Sequence, residues 1–223
     1  MAHSRPAPGG GLVVEVPADR LVGWINRFAG RNDGLTSVTG DPEHVLLTGG
    51  DGTTAVVAVP FPPMSLNHRE PIEAVLDHLA GIGAVGVILT RGGAHSVGVV
   101  RDGTVLSSST DRAYLQGRTA AGGWSQQRYA RRRGNQLRTS RQDAADTAAR
   151  LLGPIAPTLG ALVLGGDAGG VEVVLKDPRL VALGELPRRF FGDIPEPRRA
   201  VLDALAARYR AFDITVRPRA GAR

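Results

Sequence analysis

Apolar and polar positions alternate over Leu12–Val16, the period of a strand with one covered face. Pro17-Ala18-Asp19 opens the next segment, Asp19 to Gly30. There Leu21, Val22, Trp24, Ile25 and Phe28 recur at helical spacing, and Gly30 with Asn32-Asp33-Gly34 closes the helix. Trp24 is read as core packing. Val45–Thr48 and Thr53–Val59 are β-rich runs around Gly49-Gly50-Asp51-Gly52, the pattern of a hairpin. Pro60-Phe61-Pro62-Pro63 stops the second strand and reads as a linker. Residues 12–63 are therefore expected to form a small α/β lobe.

A second domain is expected over residues 64–217. It opens with a helix from about Pro71 to Ala80, carrying Ile72, Val75, Leu76 and Leu79 on one face. Three strands follow, Ala84–Arg91, His95–Arg101 and Thr104–Ser109, separated by the hairpin signals Gly92-Gly93 and Asp102-Gly103. A long helix should run from about Ser125 or later to Leu152, stopped by Gly153-Pro154. Then come a buried strand at Ala161–Leu164, a helix over Gly169–Lys176, a strand near Phe190-Phe191, a helix over Pro197–Tyr209 and a strand at Asp213–Arg217. An antiparallel meander followed by alternating helices and strands implies an α/β (α+β) class, with a mixed β-sheet flanked by helices. Residues 1–11 and 218–223 are expected to be frayed.

Composition narrows the chemistry. The 223 residues hold no cysteine, which excludes disulfides, thiolate metal sites and a cysteine nucleophile. No apolar run reaches the ~18 residues of a membrane span, and no hydrophobic segment follows Arg5 as a secretory signal would. A soluble cytoplasmic protein without membrane contact is expected. His3, His44, His68, His78 and His95 are scattered, and the acids are dispersed. No metal site and no cofactor are predicted, and a metal-dependent nuclease is disfavoured. Leu164-Gly165-Gly166-Asp167 lacks the lysine of a phosphate-binding loop and the third glycine of a dinucleotide fingerprint. It reads as a strand-to-helix turn with Asp167 at the helix start.

The formal charge is +6, and Lys176 is the only lysine. What matters is where the arginines lie. Arg112, Arg118, Arg128, Arg131, Arg132, Arg133, Arg138 and Arg141 fall within thirty residues that contain no Asp or Glu. A solvated helix normally interleaves both signs, because like charges at i,i+4 repel. An anionic partner compensates that repulsion, and a nucleic-acid backbone fits best. Within the segment, Gly122-Gly123-Trp124-Ser125-Gln126-Gln127-Arg128 combines a flexible glycine pair with neutral amides. Ser125 is placed to cap the following helix. Trp124 and Tyr129 are open to two readings, stacking on bases or packing at the helix start.

Set between a β-meander and a long basic helix, Gly-Gly-Trp-Ser-Gln-Gln-Arg resembles the Vms-like release-factor family, in particular its actinobacterial branch of peptidyl-tRNA hydrolases. Trp-Ile-Asn-Arg-Phe at 24–28, Val-Pro-Phe-Pro-Pro at 59–63 and Gly-Gly-Asp at 165–167 also look like this branch. The resemblance implies an RNase H-like domain similar to the middle domain of eukaryotic class I release factors, with a protruding loop at about 116–126. It implies hydrolysis of the ester between nascent peptide and tRNA on stalled large ribosomal subunits. The partners are then the large subunit, ribosomal RNA and peptidyl-tRNA, with the protein a monomer. The catalytic element it implies is Gly122, Gly123, Ser125 and Gln126, with Gln127 in reserve. Arg112, Arg118, Arg128, Arg131, Arg132, Arg133 and Arg138 are the expected nucleic-acid contacts. The rival reading is a non-catalytic ribosome- or RNA-binding factor using the same loop and helix.

Overall fold

The computed structural model describes residues 4–112 and 124–219, with the backbone alone for 124–130. In chain order the elements are β1 (Ser4–Pro6), β2 (Leu12–Val16), α1 (Leu21–Arg31), β3 (Leu35–Gly40), β4 (His44–Gly49), β5 (Thr54–Ala58) and α2 (Pro71–Gly81). Next are β6 (Val85–Arg91), β7 (Ala94–Arg101), β8 (Thr104–Arg112), α3 (Trp124–Leu151), β9 (Ala161–Gly166) and α4 (Ala168–Leu175). The chain finishes with α5 (Val181–Gly184), β10 (Arg188–Phe191), α6 (Arg199–Arg208) and β11 (Phe212–Arg217). Two compact units result: residues up to Gly81 together with those from Arg210 onward, and Ile82–Tyr209.

The first unit is an antiparallel sheet in the order β1-β2-β11-β5-β4-β3. Leu21, Ile25 and Phe28 of α1 are buried at i, i+4 and i+7, the stripe the sequence predicts. The Asn32 amide closes this helix by donating to the Phe28 carbonyl at 2.7 Å. At the β4–β5 turn the Asp51 carboxylate accepts from the backbone N–H of Thr53 at 2.8 Å and from its hydroxyl at 3.0 Å, an Asx-type lock. His78 is half-buried, its Nε2 3.1 Å from the carbonyl oxygens of Pro60 and Phe61.

This unit departs from the expected division in three places. Helix α2 belongs here, so the boundary falls after Gly81 instead of after residue 63. Strand β11 lies between β2 and β5, with Ile214 opposite both Val14 and Val57; it is not part of the second sheet. β1 pairs with β2 through Ser4↔Val14, so residues 4–6 are a strand where a frayed terminus was expected. The β11 pairings are long-range, so local periodicity does not encode them, whereas β1 is a three-residue strand too short to show a period.

The second unit holds the mixed sheet, in the order β10-β9-β6-β7-β8. β6–β7–β8 is the antiparallel meander, while β9 runs parallel to β6 from Val85↔Ala161 to Thr90↔Gly166, and β10 runs parallel to β9. Helix α3 lies against β7 and α4 on one face, and α6 lies against β7 and β8, giving the predicted sheet flanked by helices. The core joins Ile88, Val97, Leu162 and Leu164 of the strands to Ala144, Ala145 and Ala148 of α3 and to Val171 and Val174 of α4. Alanines at these α3 positions let the helix backbone sit close to the strands.

Candidate functional site

Helix α3 spans 28 residues, about 42 Å at 1.5 Å per residue. Its two halves differ in chemistry. Along the described side chains from Arg131 onward, burial begins only at Ser140, whose hydroxyl donates to the Gly93 carbonyl at 2.8 Å. Beyond that point Ala144, Ala145 and Ala148 face the sheet, and the first acids of the helix appear at Asp143 and Asp146. Before it, Arg131, Arg132, Arg133 and Arg138 are exposed, and none has an ion-pair partner among the described residues. Among the described side chains, the acid-free stretch 131–139 is thus the part of the helix that lies ahead of its burial.

Three sets of contacts fix the buried half. Arg141 Nη2 lies 3.3 Å from Asp167 Oδ2, in the turn between β9 and α4. That turn is tight: Gly166 has φ +92°, and a Cβ there would stand 2.2 Å from the Thr90 carbonyl oxygen. The next N–H, of Asp167, donates to the same oxygen at 2.6 Å. Asp167 is the N-cap of α4 as expected, yet its carboxylate makes no capping bond and turns to Arg141 instead. Farther along, Arg179 bridges Asp146 at 2.5 Å and Asp177 at 2.7 Å. The side-chain hydrogen bond from Arg179 holds both carboxyls below the usual carboxylate range. Finally, His95 of β7 is 2% exposed under α3, with Nε2 3.3 Å from the Thr147 hydroxyl and Nδ1 buried without a hydrogen-bond partner. Burial lowers the affinity of this ring for a proton, and the charges of Asp111 and Asp143 oppose that shift.

The predicted site residues fall into four groups. Arg118, Gly122 and Gly123 lie outside the described residues. So does most of the expected loop over 116–126. Ser125, Gln126, Gln127 and Arg128 stand on the first two turns of α3, which starts at Trp124; Ser125 is therefore inside the first turn and not ahead of it. Arg131, Arg132, Arg133 and Arg138 share the uncovered stretch of that helix. Arg112 ends β8 and is engaged with Glu196 at 3.2 Å, unlike the four helical arginines. Ser140 was not singled out from sequence, and Arg141 and Asp167 were read only as part of the arginine run and as a helix start, because the contacts that make them anchors lie 47 and 26 positions apart and share no local motif.

Among the described residues no grouping of His, Asp and Glu is arranged to hold a metal ion, and no helix is long and apolar enough to cross a membrane.

Comparison with known proteins adds a family. Residues 83–215 match the sequence pattern of the Actinobacteria/chloroflexi VLRF1 release factors. Solved structures give distant likenesses. One is described as the Vms1 mitochondrial localization core, with 11% identity over 84% of this chain and 79% of that one, at a TM-score of 0.47. Another is the archaeal translation termination factor aRF1, with 12% identity over 89% of this chain and 66% of that one, at a TM-score of 0.31. No curated protein matches the chain by sequence.

Proposed function

Because this chain belongs to the Actinobacteria/chloroflexi VLRF1 release-factor family, we propose that it hydrolyses the ester joining a nascent peptide to tRNA on stalled large ribosomal subunits. Membership itself carries a release-factor-like role and implies work at the ribosome. The finer reading is supported chiefly by one observation: the Ser125-Gln126-Gln127 element opens α3 directly ahead of an acid-free stretch whose described side chains, 131–139, are not buried. About 24 Å of helix separate Trp124 from Ser140, the first buried side chain from Arg131 onward.

An aminoacyl ester is already activated, so the reaction needs a positioned water and a polar environment for the developing oxyanion. Water adds to the ester carbonyl carbon, the bond from that carbon to the ribose oxygen breaks, and the water's proton ends on the released ribose hydroxyl. A glutamine amide both donates and accepts hydrogen bonds, and it is not a base near neutral pH. Gln126, with Gln127 in reserve, orients the water. Gly122 and Gly123 leave room for close backbone approach to the tRNA end. Arg118, Arg128, Arg131, Arg132, Arg133 and Arg138 hold RNA phosphates and set the depth of insertion. Part of the catalytic pocket is then RNA, and the isolated protein is a poor esterase.

The test is peptide release from large subunits loaded with peptidyl-tRNA, comparing wild type with Gln126→Ala and Gln127→Ala. Release that disappears in one variant while subunit binding persists assigns the amide. Wild-type protein that binds without releasing peptide makes it a non-catalytic ribosome-binding factor.

A further inference from the structure

The first unit carries a feature that peptide release does not use. A cleft of about 290 Å³ opens between α1 and the β2/β11 side of the sheet. Its floor is hydrocarbon: Leu12 and Val14 of β2, Val216 of β11, and the rings of Trp24 and Phe28, stacked 5.5 Å apart and 13° from parallel. Leu12 at the mouth is half-exposed. The rim is cationic. Arg27 and Arg31 line the cleft, and Arg20 stands one turn before Trp24 on the same flank, so positions 20, 24, 27 and 31 make one stripe. All three arginines are exposed and have no carboxylate partner among the described residues; α1 itself contains no acid.

The Arg27 guanidinium lies back along the helix, its Nη1 3.4 Å from where a Cβ on Gly23 would stand.

We propose that this cleft is a docking site for an acidic peptide segment of a partner protein, one that inserts a bulky apolar side chain and presents Asp or Glu to Arg27 and Arg31. The hydrocarbon floor selects the anchor, and the unpaired guanidiniums one helical turn apart select carboxylates on the flanking residues. A phosphodiester backbone fits less well, since the floor is apolar and the Asn32 amide is already donating to the Phe28 carbonyl.

A random twelve-residue peptide library panned against the full chain tests the assignment. Enriched peptides should carry Asp or Glu within one helical turn of Trp, Phe or Leu. A synthetic consensus peptide should then bind the wild type and lose at least tenfold in affinity for R27E/R31E. Replacing its acids by lysine should restore binding to that double variant, while V22E, on the opposite flank of α1, should bind like wild type. Both substitutions are at exposed positions, and unchanged melting curves verify the fold. Lack of enrichment over the R27E/R31E background, enrichment without acids, or equal affinity for the double variant overturns the proposal. So does displacement of the peptide by a single-stranded RNA oligonucleotide, or a wild-type dimer that R27E/R31E dissociates.

Discussion

Arg141 and Asp167, 26 residues apart in sequence, meet at 3.3 Å where α3 passes the turn between β9 and α4. The adjacent Ser140 hydroxyl is bonded to the Gly93 carbonyl. These contacts therefore tie the helix to the β9–α4 turn on one side and to the β6–β7 hairpin on the other, at the point where its side chains first become buried. Both partners of the ion pair are partly exposed, so its energy is modest. A double-mutant cycle with Arg141→Met and Asp167→Asn should give a coupling of about 0.5–1 kcal/mol by urea denaturation. Ser140→Ala, which strands a buried carbonyl, should cost about 1–2 kcal/mol by itself.

Substituting Arg131, Arg132 and Arg133 together by serine should weaken binding to large subunits. The slope of log affinity against log salt should also become shallower, by about one unit for each phosphate that the variant no longer neutralises. These arginines are exposed and pair with no acid among the described residues, so the melting temperature should not fall. Binding isotherms at several salt concentrations check both statements, and an unaltered slope would separate these arginines from RNA.

Ala148 is fully buried where α3 meets the sheet. Ala148→Leu adds volume to a packed contact and should destabilise the second unit by about 1–3 kcal/mol. A matched exposed change in the uncovered half, Gly134→Ala, removes a mid-helix glycine with nothing within 4 Å of the new Cβ and should be neutral or slightly stabilising. Opposite signs for the two substitutions would establish that packing governs one half of α3 and helix propensity the other.

His95 supplies a pH test. Its folded proton affinity is lowered by burial, so between the unfolded value near 6.5 and the lower folded value the unfolded chain binds more protons. The contribution of His95 is then fully present above pH 6.5 and is lost as the pH falls through that window. Thermal melts from pH 7.5 to 5 should show a steeper decline for wild type than for His95→Asn. All other groups are common to both proteins, so the difference between the two curves isolates His95.

Local chemistry made much of the second unit readable. Gly92-Gly93 and Asp102-Gly103 mark its two hairpins, and Asp102 and Gly103 do adopt φ of +48° and +80°, as a tight hairpin turn requires. The arginine run without acids marked the stretch of α3 that the sheet leaves uncovered. Strand β3 escaped notice because Leu35-Thr36-Ser37-Val38-Thr39-Gly40 is an edge strand with a bulge and only two large apolar residues, too weak a period to read. The position of β11 was illegible for a different reason: Phe212–Arg217 alternates like a strand in either sheet, and only its pairing with Val14 and Val57 decides between them. The anchors of α3 were hidden in the same way, since an Arg–Asp contact between separate elements leaves no spacing to detect.

The central place of β11 in the first sheet orders the protein's own biosynthesis. Residues 82–209 form one continuous stretch and hold every strand of their sheet, so that unit acquires all its parts while translation is still under way. The other sheet waits with a gap between β2 and β5 until residues 212–217 have left the tunnel. A copy arrested shortly before that point would display two open strand edges, a surface that invites pairing with other chains.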